Sequence, residues 1–459
     1  MSERASCWVR RLRVGREGSF TLLLCLVAGG VVPAPSAMAQ LGSGPLGQYT
    51  SPGGLTMQER LSESSLEQAM EDARWRFGGL RVAPYLGIRR AQYHDNVFAT
   101  SEESGDAVSD LTVTLGAGFD AFLKTGSHVF YRFEVQPDYV FWADLDERNQ
   151  AIGSYSAGVH AFFNRLTFGV TGRRYEVERI ETSEFAQPVT SLRQGVGADL
   201  GLRLSSRFSL AFSGDLSELG YRSESEGDPR VPQFSRLDRE QTTGSASVVW
   251  TLPNGLELGA GWQVSRAEFD QDARALSVDG SGPRISLYGE GNKVDFQVEL
   301  FQSTLEPRGE SLFPEREVEG GRIETSFDTG SRINWSFYGQ RSQLFTLDQS
   351  FSDFTYMRYG VRLGIPFGDR ASLNLFTETG EDDYESLTPD AVRRTDDAFS
   401  WGATVQLPLP RALPEGLRLQ LGYRHTELDS NLPGLDREFG GPIFNLSYSI
   451  GFAQKLLGE

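Results

Sequence analysis

Apolar and polar residues alternate along most of the chain with a period of two, from residue 80 to the C-terminus. In residues 111–123, for example, Leu, Val, Ala and Phe alternate with Thr, Gly and Asp. Successive side chains of a β-strand point to opposite faces, so this pattern predicts strands with one face toward hydrocarbon and one toward water. We count about eighteen such segments, with sixteen as the lower count, and many have the ten or so residues that a tilted membrane crossing requires.

The connections between these segments alternate between short and long. Residues 124–127 and 252–255 form short connections, whereas residues 223–241 and 380–397 form long, charged ones. Barrels of the bacterial outer membrane have short periplasmic turns and long external loops. The sequence therefore predicts an all-β fold, a closed antiparallel transmembrane β-barrel of about 18 strands with both termini in the periplasm.

Aromatic residues are expected at the edges of the lipid-facing band, where their rings meet the lipid headgroups. The candidates for this girdle are on outward-facing positions near predicted strand ends: Trp250, Trp262, Trp335, Trp401, Tyr423 and Phe452. The chain after residue 40 has no run of eighteen apolar residues, which excludes a helical membrane protein.

The first 78 residues do not follow the strand pattern. Residues 1–39 combine basic residues, an apolar stretch and the triplet Ala37-Met38-Ala39, which predicts a signal peptide that is removed before Gln40. Residues 40–55 are rich in Gly, Ser and Pro and are predicted to be disordered. Residues 56–78 have near-helical apolar spacing and predict one periplasmic amphipathic helix before the barrel, which takes up residues 79–459. This helix is interpreted either as a plug or lid on the barrel rim or as a docking surface for a periplasmic partner.

The charge and the cysteines restrict the possible functions. The net charge of −18 disfavours a nucleic-acid partner. Both cysteines, Cys7 and Cys25, lie in the predicted signal peptide, which excludes disulfides and thiol catalysis in the mature chain. The histidines are scattered over different predicted strands and turns: His94, His128, His160 and His425. Because no metal-ligand spacing and no phosphate-binding glycine loop is present, the sequence predicts neither an enzyme nor a cofactor.

Charged residues occupy inward-facing positions of the predicted strands. The candidate pore-lining residues are Arg132, Glu134, Asp138, Arg173, Arg193, Asp199, Arg284, Glu299, Arg322, Glu324, Arg358, Arg362, Arg418 and Arg424. They are interpreted either as a network of ion pairs that stiffens the wall or as a polar lining that determines what passes. Inward-facing aromatic residues offer flat surfaces for sugar rings, or else pack locally near turns: Phe130, Tyr175, Tyr288, Tyr338 and Tyr356.

The predicted external loops are acidic. In residues 380–397 the acids include Glu381, Asp382, Asp383, Glu385, Asp396 and Asp397. Such carboxylates are interpreted as solvated faces or as ligands for divalent cations that bridge to lipopolysaccharide. The expected partners are accordingly the outer-membrane lipid and lipopolysaccharide.

One short motif resembles a known family. Tyr93-His94-Asp95-Asn96-Val97-Phe98, at the end of the first predicted strand, resembles the Y-x-D-N-V-F signature of a large family of outer-membrane β-barrel porins, whose members are often linked to exopolysaccharide or capsule export operons. The following residues to position 141 also look like that family's second and third strands. The resemblance implies a wide barrel through which a polymer leaves the cell, with a periplasmic polysaccharide export protein as partner. Asp95 and Asn96 are expected to bond backbone groups locally, where the strand meets the loop.

The predicted function is an outer-membrane porin, with a conduit for secreted polysaccharide as the leading hypothesis. The alternatives are a general diffusion porin for small solutes and a structural or adhesive barrel. A diffusion porin is expected to have a constriction, usually a loop folded inward. The nearest candidate in the sequence is residues 99–108, with Glu102, Glu103 and Asp106.

Overall fold

A computed structural model describes residues 63–97, 107–179, 189–222, 234–270, 276–289, 291, 293–328, 333–346, 348, 350–367, 371–387, 392–408 and 417–449. Within these ranges the chain forms one α-helix, α1 (Glu63–Asp72), and nineteen β-strands. β1 (Trp75–Phe77) has three residues, and the remaining eighteen have between 12 and 17. Among the described residues, no helix is long and apolar enough to cross a bilayer.

The eighteen long strands form the barrel. They are β2 (Leu80–His94), β3 (Asp110–Thr125), β4 (Val129–Trp142), β5 (Gln150–Phe162), β6 (Leu166–Arg179), β7 (Val189–Arg203), β8 (Phe208–Arg222), β9 (Arg239–Thr251), β10 (Glu257–Phe269), β11 (Val278–Gly289), β12 (Val294–Pro307), β13 (Arg316–Asp328), β14 (Asn334–Phe345), β15 (Phe351–Phe367), β16 (Ala371–Ser386), β17 (Thr395–Pro408), β18 (Leu417–Ser430) and β19 (Arg437–Ser449).

Each barrel strand pairs antiparallel with the strands before and after it in the chain. The sheet closes because β19 also pairs antiparallel with β2, from Ile443 opposite Gln92 to Ser449 opposite Tyr85. Closure leaves no strand edge without a partner, which is a condition for crossing hydrocarbon with strands. The predicted closed antiparallel barrel is confirmed, with the higher strand count of 18.

The two rims of the barrel differ. At the rim that we call the short-turn rim, the connections have three to five residues, except for the eight residues between β17 and β18. At the opposite rim, the loop rim, they have 5 to 16 residues. Because β2 begins and β19 ends at the short-turn rim, both ends of the described barrel lie on one side, as the predicted strand parity requires.

The N-terminal helix lies against the inner wall at the short-turn rim. Leu66 and Ala69 of α1 are buried against Phe122 of β3 and Phe130 of β4, and both phenylalanines face the interior. Lys124 of β3 also donates a hydrogen bond to Glu67, with Nζ 2.6 Å from Oε1. The chain then forms β1, which pairs with the first residues of β2 across Gly78, whose φ of +59° suits glycine. In the described residues, α1 therefore packs on the rim of the barrel itself. Residues 56–62 of the predicted helix lie outside the described residues.

The outward face of the barrel has an apolar band, and between this band and the loop rim it carries charged residues. On β10 the outward residues are Leu258, Ala260, Trp262 and Val264, followed toward the loop rim by Arg266. Arg266 donates a hydrogen bond to Asp279 of β11, with Nε 2.8 Å from Oδ1. In a membrane-spanning strand, the apolar outward residues lie in the hydrocarbon and the charged ones lie in water beyond it. The barrel is therefore transmembrane.

The predicted girdle residues that the structure describes all face outward and are 38–54% exposed. Trp250 and Trp335 lie at the short-turn rim. Trp401 and Tyr423 lie close to the upper edge of the apolar band, since Trp401 is paired with His425. Trp262 lies within the band, so its predicted place near a strand end is wrong. Phe452 lies outside the described residues.

The predicted external loops are too long, because the strands continue above the membrane. β16 runs to Ser386 and β17 begins at Thr395, so only residues 387–394 connect them. Most of the acids assigned to this loop are therefore strand residues. Asp382 and Asp396 are in fact buried on the inner face, at 0% and 3% exposure.

Leu115 and Thr114 test the assignment of the two faces. Leu115 is 44% exposed on the outward face of β3, whereas Thr114 pairs with Val140 on the inward face. Leu115→Arg is expected to lower the free energy of unfolding by about 2–4 kcal/mol, because it places a charge in hydrocarbon, and Thr114→Arg should lower it far less. Urea-induced unfolding of the barrel in phospholipid vesicles measures both. Equal losses would mean that the faces are reversed.

Candidate channel interior

The predicted pore-lining residues alternate on the inward face of the barrel. This holds for every one of them whose side chain is described, from Arg132 and Glu134 on β4 to Arg424 on β18. Arg418 is at the beginning of β18, where the side chains lie outside the described part of the structure. The alternation that produces an apolar outer face thus produces a charged inner face.

On the wall formed by β4 to β8, the charges pair both across strands and along one strand. Arg173 of β6 forms an ion pair with Asp215 of β8, and Nη2 of Arg193 lies 3.8 Å from the other carboxylate oxygen of Asp215. On β4, Nη2 of Arg132 is 3.4 Å from Oε2 of Glu134. The side chains in these pairs are 11–20% exposed, which means that they line the interior without being fully desolvated.

The opposite wall, from β11 to β18, repeats this arrangement. Arg284 of β11 pairs with Glu299 of β12. Glu324 of β13 accepts from Arg322, with Nη2 2.7 Å from Oε2, and Nη1 of Arg362 on β15 lies 3.7 Å from its other oxygen. Neighbouring inward positions thus carry opposite charges. The interpretation as a network of ion pairs therefore holds for these residues, and the interpretation as a lining that determines what passes stays a prediction.

Sequence reasoning missed three acids of this network. Asp215 pairs with two arginines, Glu378 accepts a hydrogen bond from the Tyr338 hydroxyl at 2.7 Å, and Asp382 pairs with Arg358. Asp215 alternates with Ser213 and Ser217 on β8, so its inward position was available from the period of two. Asp382 was assigned to an external loop, because the acidic residues around it made the end of a strand resemble a charged loop.

Arg358 and Asp382 form a fully buried pair. Nη1 and Nη2 of Arg358 donate to the two carboxylate oxygens of Asp382 at 2.7 and 2.9 Å, and their side chains are 2% and 0% exposed. The guanidinium also lies 4.3 Å from the ring centroid of Tyr356. A two-pronged pair of this kind fixes β15 against β16 near the loop rim.

Two of the five inward aromatic residues are covered by protein. Phe130 lies under α1, and Tyr356 is buried with Leu344, Phe351, Phe354 and Tyr384. Local packing is therefore the interpretation that holds for these two. The guanidinium of Arg362 lies 4.2 Å from the ring centroid of Tyr338. Tyr175 and Tyr288 also face the interior.

At the loop rim, an apolar cluster covers part of the inner wall. Inward-facing residues of β10 to β13, among them Phe269 and Leu305, are buried under residues from the connecting segments. The covering residues are Phe234 and Leu237 from a short 3-10 helix (Phe234–Leu237), Leu276, and Phe313. We call this cluster the inner cover. Loops that pack on the inside of a barrel narrow its opening.

The end of the β14–β15 hairpin crosses to the inner cover. The rings of Phe345 on β14 and Phe269 on β10 meet edge to face with centroids 4.6 Å apart. Adjacent strands are about 4.8 Å apart, so four strand spacings along the wall would separate these strands by roughly 19 Å. The guanidinium of Arg239 on β9 lies 5.2 Å from the Phe345 ring as well. The hairpin end must therefore fold inward over the lumen.

Polar contacts hold the hairpin in this position. Asp353 on β15 is 0% exposed and pairs with Arg316, the first residue of β13. Asp353 also accepts hydrogen bonds from Gln343 and from Ser352. Arg239, at 1% exposure, donates from Nη1 to the carbonyl oxygen of Leu237 at 3.0 Å. These contacts connect the hairpin and the 3-10 helix to the wall.

The predicted constriction loop cannot be compared directly with this arrangement, because residues 98–106 lie outside the described residues. The inward-folded segments that the structure does show are parts of the connections after β8, β10 and β12 and the end of β14. The strand pattern does not predict these segments, because the period of two ends with the strands and does not tell whether a loop residue packs inward or faces solvent.

The motif residues Asp95 and Asn96 bond backbone groups, as expected, but across the barrel seam. Oδ1 of Asp95 accepts from the backbone N–H of Gly440 at 3.1 Å, and Nδ2 of Asn96 donates to the carbonyl oxygen of Glu438 at 3.3 Å. Both partners lie on β19. The predicted local role is therefore wrong in one respect, because the contacts join the first barrel strand to the last. Tyr93 faces outward at 44% exposure, and Phe98 lies outside the described residues.

The buried pair provides a stability test. Arg358→Ala leaves the Asp382 carboxylate buried without its main partner, and the free energy of unfolding should fall by about 3–5 kcal/mol. The matched control is Arg341→Ala, which removes an exposed pair with Glu319 whose atoms are 3.6 Å apart. Such pairs contribute little. Urea-induced unfolding in lipid vesicles compares the two variants, and equal losses would contradict the burial of the Arg358 pair.

Comparison with known proteins gives fold-level similarity only. No protein-family model matches the chain, and no curated protein matches it. Among solved structures, it is similar to Acinetobacter baumannii OccAB3, with 12% identity, a TM-score of 0.46, and coverage of 81% of this chain and 99% of that one. It is also similar to Pseudomonas aeruginosa OpdQ, with 8% identity, a TM-score of 0.47, and coverage of 81% and 98%. The barrel is established by its own strand pairing.

Proposed function

We propose that this chain is an outer-membrane channel for small hydrophilic solutes and not an enzyme. The observation that carries the proposal is the inner cover, together with the hairpin end that reaches it. Barrels of 16 to 18 strands enclose an aqueous channel unless they are plugged. Segments that fold inward at one rim reduce such a lumen to a constriction, which selects solutes by size.

The chemistry of the interior supports hydrophilic cargo. Arginines and carboxylates pair at neighbouring inward positions, as in Arg173 with Asp215 and Arg284 with Glu299. Paired charges give a polar, hydrated surface without one dominant charge to hold a solute tightly. A solute that is bound weakly at several places can enter and leave, which is the requirement for conduction.

A polysaccharide conduit, which the sequence motif implied, has less support. A polymer exit needs a lumen that is wide along its whole length, and the inner cover narrows the loop rim. The motif residues Asp95 and Asn96 bond the β2–β19 seam, so they offer no separate argument for a polymer. A periplasmic export partner remains a prediction of the sequence, and α1 has its apolar residues Leu66 and Ala69 occupied by the barrel.

The proposed location is the outer membrane, with the short-turn rim in the periplasm. The outward apolar band and the closed antiparallel sheet support it. In this orientation the charged outward residues above the band, such as Arg266 and Asp279, lie at the level of the outer-leaflet headgroups. Lipid and lipopolysaccharide are the partners that this placement proposes.

The constriction is tested by releasing the hairpin. Arg316→Gln leaves the buried Asp353 without its cation, a loss of about 3–5 kcal/mol for the folded-in hairpin. The single-channel conductance in planar bilayers should therefore rise above that of the unmodified protein.

Arg341→Gln is the matched control, because Arg341 is an arginine near the same rim that faces outward and, among the described residues, pairs with the exposed Glu319. Its conductance should stay at the original value. An Arg316→Gln channel with unchanged conductance would contradict the constriction, and a protein that conducts no ions in any variant would contradict the channel itself.

Deletion of the gene separates the two cargo classes. Uptake of small hydrophilic solutes is expected to fall while polysaccharide secretion stays normal. Both quantities are measured in the same deletion strain, with a complemented strain as control. Loss of secreted polymer with accumulation in the periplasm would instead support the conduit, and no change in either quantity would favour a structural or adhesive barrel.

A further inference from the structure

A cavity lies on the outward face of the barrel, where the apolar band meets the charged residues near the loop rim. It spans strands β9 to β12 and has a volume of about 430 Å³. The side chains that line it include Val264, Arg266, Asp279, Ser281, Thr304 and Glu306. Strand alternation places all six on the face opposite to the lumen, so the cavity is separate from the channel.

The cavity lies beside an interruption of the β11–β12 ladder. The ladder stops at Ser281 opposite Thr304 and resumes after Pro283, which has no N–H to donate. Ser281 and Thr304 are small and half-buried, so they form the floor of a depression in the wall. Trp262 is paired with Pro283 and lies directly below the cavity, toward the short-turn rim. A polar depression thus adjoins a broad apolar side chain within the band.

Hydrogen-bond donors and acceptors lie side by side around the cavity. Nε of Arg266 donates to Oδ1 of Asp279 at 2.8 Å, and Nη1 of Arg308, just after β12, lies 3.6 Å from the same oxygen. The side chains of Arg266 and Arg308 are 51% and 32% exposed, so a ligand can reach both guanidiniums. Glu306 is opposite Asp279 on β12 and is also exposed, and Thr304 holds the next outward position.

This combination of groups suits the hydroxyls of a sugar. A hydroxyl both donates and accepts hydrogen bonds, so a sugar ring needs acceptors and donors in one site. A headgroup that carries only negative charge is attracted by Arg266 but repelled by Asp279 and Glu306. Below the cavity, Val264 and Trp262 offer an apolar surface for acyl chains. The ligand that matches both parts is a lipid with a sugar headgroup.

We propose that this cavity binds the phosphorylated glucosamine headgroup of lipopolysaccharide, with the acyl chains lying along Val264 and Trp262. The carboxylates of Asp279 and Glu306 accept hydrogen bonds from the sugar, and Arg266 donates to a sugar or phosphate oxygen. The site rests on the proposed function, because the proposed orientation places the loop rim in the leaflet that contains lipopolysaccharide.

The experiment measures lipid binding by the full-length folded barrel in detergent, with native mass spectrometry. One probe is lipid A, the phosphorylated glucosamine anchor of lipopolysaccharide. The other is phosphatidylglycerol, which is anionic but has no sugar ring. Lipid A is expected to stay bound at a concentration at which phosphatidylglycerol is lost, because only lipid A offers sugar groups to the carboxylates.

Two variants test the cavity itself. Ser281→Phe fills its floor, and Glu306→Gln removes the charge of an acceptor. Each variant should weaken the binding of lipid A by about tenfold or more. The matched controls are Ala198→Phe, at a small exposed outward residue of β7, and Glu427→Gln, at an exposed outward glutamate of β18. Both positions lie outside the cavity, so these variants should bind lipid A as the unmodified barrel does.

Undiminished lipid A binding in Ser281→Phe would overturn the site, and so would equal binding of phosphatidylglycerol and lipid A by the unmodified barrel. If Ser281→Phe does not fold, undiminished binding in Glu306→Gln overturns the site equally. Single-channel conductance separates this site from the proposed function, because the cavity lies outside the lumen. A barrel that conducts without binding lipid A contradicts the site alone, and one that binds lipid A without conducting contradicts the channel.

Discussion

The structure depends on one constraint: every backbone N–H and C=O within hydrocarbon must have a partner in the protein. A β-sheet satisfies this condition only when it closes on itself. In this barrel the pairing of β19 with β2 closes the sheet. Asp95 and Asn96 add side-chain bonds across this seam at the loop rim. The seam joins the two ends of the barrel sequence, so the whole chain must be in place before the last ladder forms.

In the closed barrel, the distribution of polar and apolar side chains is the reverse of that in a soluble protein. Apolar side chains such as Leu115 face lipid, and charged ones such as Arg173 and Asp215 face the interior, where they satisfy one another. Two of the buried apolar clusters occur where another segment covers the inner wall: α1 at the short-turn rim, and the connecting segments at the loop rim. The wall is thus a regular support, and the features that govern passage are the irregular segments attached to it.

A few polar groups hold these irregular segments, and each group fixes the position of several residues. Arg316 and Asp353 fix the β14–β15 hairpin, and Asp238 fixes the 3-10 helix in front of β9. Because each group connects a segment of several residues to the wall, the loss of its contacts acts on that whole segment. This places the control of a channel of this kind at its loop rim, while the paired charges deeper in the lumen give a polar surface for hydrated solutes.

The sequence by itself determined the barrel, its strand number to within two, the common side of its ends and the inward or outward direction of its strand residues. The reason is that strand alternation is local: Leu115 and Thr114 face opposite ways because they are neighbours. Only the tertiary structure decided that the acidic run at Asp382 belongs to a strand, that Asp95 reaches β19, and that Phe345 packs on Phe269. These contacts join residues far apart in the chain, and their geometry depends on how the closed wall brings distant strands and loops together.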